Sequence, residues 1–67
     1  MALQLTINGK TQRVDAQTVR ELLVSMGLDK QAVAVEINRQ VVPKRLHEET
    51  SLNEGDTIEL VTLVGGG

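Results

Sequence analysis

The sequence ends in Gly65-Gly66-Gly67, directly after a run that reads as a strand, Thr57-Ile58-Glu59-Leu60-Val61-Thr62-Leu63. Three glycines have no side chain to pack and no conformational preference to exploit, so they add nothing to a core. A glycine carboxylate at a chain end is the least hindered carboxylate a polypeptide can present. Its unperturbed pKa of about 3.5 keeps it ionised at neutral pH. An ionised carboxylate is a poor electrophile, so acyl chemistry at Gly67 requires activation by another protein. The competing reading is a frayed terminus or a cloning scar, and what precedes the tail decides between the two.

No other residue set is equipped for catalysis. The 67-residue chain has no cysteine, which excludes disulfide staples, thiolate zinc sites, iron–sulfur ligation and a cysteine nucleophile. His47 is the single histidine and has no partner set for metal or catalytic work. Glu48-Glu49 and the pair Glu54 and Asp56 fall in loops and read as solvated surface. Lys10, Lys30 and Lys44 are available as isopeptide acceptors, but nothing favours that over solubility. There are no aromatics and the net charge is −2, so base stacking and phosphate-backbone binding are excluded. Met1 to Ile7 alternates and is too short for a signal peptide, and no run approaches the ~20 apolar residues of a membrane span. The expectation is a cytoplasmic domain that holds no metal or cofactor and has no nucleic-acid or membrane partner.

The elements that must position the tail are legible. Leu3, Leu5 and Ile7 alternate with Gln4 and Thr6 as a half-buried strand. Asn8-Gly9 is a type I′ turn signal, and Lys10 to Val14 runs back with Val14 inward and Thr11 and Arg13 outward. Thr18-Val19-Arg20-Glu21 is a capping box, in which the Thr18 hydroxyl accepts from the Glu21 N–H and the Glu21 carboxylate reaches the Thr18 N–H. Val19, Leu22, Leu23 and Met26 form an apolar stripe and Gly27 closes the helix, giving a helix over 18–26 with Met26 in the core. Val33, Val35 and Ile37 make a third strand. Asn38-Arg39-Gln40 is a turn and Val41-Val42 a short fourth strand ended by Pro43. Lys44 to Ser51 is polar and irregular, with Leu46 and Leu52 as anchors. Asn53-Glu54-Gly55-Asp56 is a turn. The last strand carries Ile58 and Leu60 on one face and Glu59, Val61 and Leu63 on the other. The order is β-β-α-β-β-β: an α+β domain over 1–63 with a tail over 64–67.

This order, with a last strand running into Gly-Gly, resembles the ubiquitin-like β-grasp fold with a mixed five-stranded sheet. The details are similar to the ThiS family, the bacterial sulfur carriers of thiamine thiazole synthesis. The matching pieces are Thr18-Val19-Arg20-Glu21-Leu22-Leu23, Val35-Glu36-Ile37-Asn38, Val41-Val42-Pro43-Lys44, Gly55-Asp56-Thr57-Ile58-Glu59-Leu60-Val61 and Val64-Gly65-Gly66-Gly67. One departure is His47, where the family commonly has an aromatic. The resemblance implies a carrier and co-substrate, not an enzyme. An ATP- and magnesium-dependent adenylating enzyme activates the Gly67 carboxylate, a sulfur-donor system supplies cysteine-derived sulfur to give a thiocarboxylate, and thiazole synthase takes up that sulfur. The alternatives are a molybdopterin-synthase small subunit or other sulfur carrier, a covalent protein modifier, and an interaction module with an incidental tail.

Residues 64–67, if extended, reach about 13 Å at ~3.3 Å per residue. Ordering each one costs roughly 1–2 kcal/mol, so affinity for a partner must come from the folded body. The expected docking surface is the outward sheet face: Glu59, Val61 and Leu63 on the last strand, with Ala34 and Val41 beside them.

Overall fold

The computed structural model describes residues 2–63. The elements run β1 (Leu3–Ile7), β2 (Lys10–Val14), α1 (Val19–Ser25), β3 (Val33–Ile37), β4 (Gln40–Val42), a 3₁₀ turn (Lys44–Leu46) and β5 (Thr57–Thr62). The strands form one mixed sheet in spatial order β2-β1-β5-β3-β4. β1 and β5 run parallel at its centre, and every other pairing is antiparallel.

Two hairpins turn on the same backbone geometry. Asn8 and Gly9 have φ of 49° and 84°, and Asn38 and Arg39 have 50° and 72°. Positive φ at both central residues matches the twist of the flanking strands. The second turn is therefore two residues long, and Gln40 belongs to β4, opposite Ile37. Arg39 occupies a region in which a side chain is disfavoured.

The helix is shorter than the apolar stripe. Thr18 is its N-cap, with its hydroxyl accepting from the Glu21 N–H at 3.2 Å. The Glu21 carboxylate reaches back one residue further than expected and accepts from the Gln17 N–H at 2.7 Å. At the other end Gly27 sits at φ +72°. The Gly27 N–H donates to the Val24 carbonyl and the Leu28 N–H to the Leu23 carbonyl, the bond pair of a Schellman motif. This folds Leu28 back against the core and leaves Met26, the C-cap, 41% exposed. Met26 is thus outside the core, contrary to its place in the stripe, because the chain leaves the helix before completing that turn.

The core lies between α1 and one face of the sheet. Leu5, Ile7, Val35, Ile58 and Leu60 come from the strands, Val19, Leu22 and Leu23 from the helix, and Ala16 and Leu52 from the loops. Of the two expected anchors, Leu52 is in the core, while Leu46 is only half-buried and is not among the residues packed against it. Leu23→Ala should destabilise by about 2–5 kcal/mol and Thr18→Ala by about 1 kcal/mol through the lost cap. Met26→Ala should stay within about 0.5 kcal/mol of the parent. Chemical denaturation of the three variants checks the ranking.

Candidate functional site

The strand that leads toward the tail is held by side chains as well as by neighbouring strands. β5 pairs with β3 over five residue pairs but with β1 over two, Thr6↔Thr57 and Ile7↔Ile58. Beyond that short ladder the Asn8 amide takes over. Its Oδ1 accepts from the Leu60 N–H at 2.8 Å and its Nδ2 donates to the Leu60 carbonyl at 3.2 Å. Asn38 serves the start of β5 from the other side, with Oδ1 accepting from the Thr57 N–H at 3.0 Å. Its Nδ2 donates to Asp56 Oδ1 at 3.0 Å, and Asp56 Oδ2 accepts from the Asn53 N–H at 2.8 Å. Asp56 is buried at 8% exposure. It is a structural junction rather than the solvated carboxylate its loop position suggested. The clamping role of the two asparagines was not visible in the sequence, where both read only as turn residues.

The outward face gathers the residues expected to dock. Alternation along β5 buries Ile58 and Leu60 and exposes Glu59 and Val61, and Leu63 follows at 57% exposure. Val61 lies opposite Ala34, and Glu59 opposite Glu36, which in turn lies opposite Val41. Ala34 and Val41 are exposed, Val41 at 71%. Glu36 was missed as a member of this face, although its alternation with Val35 and Ile37 carries the signal. Like charges directly opposite on a sheet are destabilising, so the Glu36–Glu59 pair detracts from the stability of the domain. Val64, Gly65, Gly66 and Gly67 lie outside the described residues.

His47 is buried at 6% exposure. Its Nε2 lies 3.1 Å from the Val42 carbonyl, and because a carbonyl only accepts, that nitrogen carries the proton. It ties the segment after Pro43 to β4. Among the described residues no group of three or more His, Cys, Asp and Glu is placed to hold a metal ion. Among the described residues no helix is long and apolar enough to cross a membrane.

A five-stranded mixed sheet packed on one helix is a β-grasp fold, and comparison with known proteins supplies the family. The model of the ThiS family matches residues 5–67. The sulfur carrier protein ThiS of Bacillus subtilis is 38% identical over 65 residues, covering 94% of this chain and 98% of its own length. The crystal structure of the thiamine biosynthesis protein ThiS from Geobacter metallireducens superposes with a TM-score of 0.81 at 33% identity, covering 97% of this chain and 100% of that one. A thiazole synthase of Paramagnetospirillum magneticum is 41% identical over 66 residues, where 97% of this chain matches only 20% of the synthase. The chain belongs to the ThiS family of sulfur carriers with a ubiquitin-like β-grasp fold.

Asn8→Gly retains a residue suited to positive φ but removes both bonds to Leu60. It should destabilise the domain by about 1–3 kcal/mol and speed amide hydrogen exchange at Leu60 in particular. Glu59→Gln should stabilise it by about 0.2–1 kcal/mol through relief of the facing charges, measured in the same denaturation series.

Proposed function

We propose that this protein is the sulfur carrier for thiazole formation in thiamine biosynthesis, with the Gly67 carboxyl carbon as the sulfur-bearing atom. The observation that carries this reading is the family match, which runs unbroken from β1 through Gly67 over a body with the same fold as a ThiS protein. In this reading residues 1–63 are the handle and Val64, Gly65, Gly66 and Gly67 the arm. The work is done in the cytoplasm, without a metal or cofactor on this chain.

The chemistry divides between the chain and its partners. ATP and magnesium belong to the adenylating enzyme. A Gly67 carboxylate oxygen attacks the α-phosphorus of ATP and pyrophosphate leaves, so the acyl carbon gains AMP as a leaving group. Attack by the outer sulfur of a donor cysteine persulfide expels AMP and forms an acyl disulfide, and a thiol then attacks the donor's sulfur, forming a new disulfide with it and releasing the thiocarboxylate. Thiazole synthase is the acceptor, in keeping with the thiazole synthase relative that contains a segment similar to this chain. This protein contributes the unhindered carbon and the docking face. Glu59 and Val61 on β5, Leu63 after it, Val41 and Ala34 beside it, and the Glu36 carboxylate form one surface that both partners meet in turn.

The distance from that surface to the carbon is set by the length of the arm. Deleting Gly67 shortens the reach, adding a residue after Gly67 moves the carboxylate past the nucleotide, and Gly66→Val places a β-branched side chain where only backbone passes. All three variants should melt like the parent, and each should show little ATP–pyrophosphate exchange with the adenylating enzyme while the parent exchanges readily. With a sulfur donor present, only the parent should gain the mass of sulfur replacing oxygen, localised to Gly67 by mass spectrometry. Efficient exchange by the extended variant would defeat the carrier reading, and a ladder of protein conjugates would favour a modifier. Val61→Glu should fold normally and bind the adenylating enzyme much more weakly, as a titration of labelled protein will show.

A further inference from the structure

A cleft of about 580 Å³ opens on the helix side of the sheet, where α1, the start of β3 and the segment after Pro43 meet. Leu23 and Val33 supply its apolar part, and Arg20, Lys44 and Arg45 its cationic part. These three are drawn from the seven Lys and Arg of a chain whose net charge is −2. Glu48, also on the lining, pairs with Arg20 at 3.5 Å between exposed side chains, an arrangement worth little by itself. Asp29 is the other carboxylate on the lining. Lys44 and Arg45 are exposed and have no ion pair among the described residues.

The position of the cleft ties it to the arm. Val33 lies opposite Thr62 in the β3–β5 ladder, and the Leu63 N–H donates to the Ala32 carbonyl at 2.8 Å. The cleft is therefore at the end of the domain from which the chain continues past Leu63. The Ala34–Val61 patch occupies the opposite face of the sheet at that same end. A protein that encloses the residues beyond Leu63 has to approach both.

The chemistry of the lining selects the occupant. Sites for small phosphates commonly add free backbone N–H groups to their cationic side chains. Here the N–H groups of Leu46, His47, Glu49 and Thr50 are already bonded to carbonyls of Pro43, Lys44 and Leu46. The cations instead sit on long side chains over an apolar floor, a combination that suits carboxylates carried on a chain with apolar residues of its own. We infer that this cleft is a second docking point, which takes an acidic segment of the protein that receives the Gly67 arm. The inference rests on the carrier reading above and adds the chemistry of the partner's contact. Charge complementarity of this kind speeds and orients encounter and weakens with salt.

The double variant Lys44→Glu/Arg45→Glu tests it, with Lys44→Arg/Arg45→Lys as the charge-preserving control. Each is titrated against the adenylating enzyme and against thiazole synthase from the same organism, at low and high salt. The reversal should weaken binding to at least one of them by about tenfold or more at low salt and flatten its salt dependence. The melting temperature and the control's affinity should be unchanged. A reversal variant that binds both proteins as the parent does, while the parent is adenylated normally, overturns this inference and leaves the carrier reading standing. A parent that is neither bound nor adenylated overturns both. Inorganic phosphate added to the isolated protein should leave the amide resonances of Lys44 to His47 unmoved. Saturable shifts there at submillimolar phosphate identify a small-anion site and overturn the acidic-segment assignment.

Discussion

A primary amide sets an N–H donor beside a carbonyl acceptor, the same pair a strand residue offers its neighbour. Asn8 uses its amide in that way on both backbone groups of Leu60, where the parallel ladder from β1 has already ended. Without it, the Leu60 N–H and carbonyl on that side would lose their partners in a half-buried position, which is costlier than the hydrogen bond is worth. The residue that reverses the first hairpin thus also extends the central strand pairing. Asn38 does the equivalent at the opposite end of β5, through Thr57 and the buried Asp56. Turn, register and the aim of β5 are one constraint.

That constraint explains why the less favourable local choices concentrate around β5 and its neighbours. Glu36 and Glu59 face each other across the sheet, Val41 and Val61 are exposed, and the cationic side chains of Lys44 and Arg45 lie at the end where β5 finishes. Proteins depart from the best local choice at working surfaces, and the remaining packing offsets the loss. Here the offset is the apolar layer between α1 and the sheet, in which Val19, Leu22 and Ile58 are completely buried. A small domain with little stability to spare keeps its unfavourable contacts on exposed surfaces.

The segment after Pro43 shows the same economy. Polar composition suggested an irregular loop, yet it forms a 3₁₀ turn and drives His47 inward, where the ring donates to the Val42 carbonyl. The His47 imidazole is nearly fully buried and meets its polar edge with that one hydrogen bond. Buried polar groups are tolerated on that condition, and among the described residues no buried side-chain nitrogen or oxygen lacks a partner.

Period and turn chemistry were enough to read the β-β-α-β-β-β order, the first hairpin, the Thr18 cap, and the division of β5 into a buried and an exposed face, while the second turn proved one residue shorter than read. These depend on residues close in sequence, through side-chain alternation, left-handed turn positions and the capping hydroxyl. The sequence by itself also singled out the Gly67 carboxylate as the group on which the carrier proposal rests. Tertiary structure decided the rest. It excluded Met26 from the core, because the Schellman bonds end the helix first and Leu28 takes the inward position. It turned Asp56 from a loop carboxylate into a junction, and Asn8 and Asn38 from turn residues into clamps. It placed Glu36 against Glu59, and brought Arg20 from the helix beside Lys44 and Arg45 from a later loop. The physical reason is common to all of these: each depends on which strand or turn lies alongside, and strand order and register arise from burying one apolar layer as a whole.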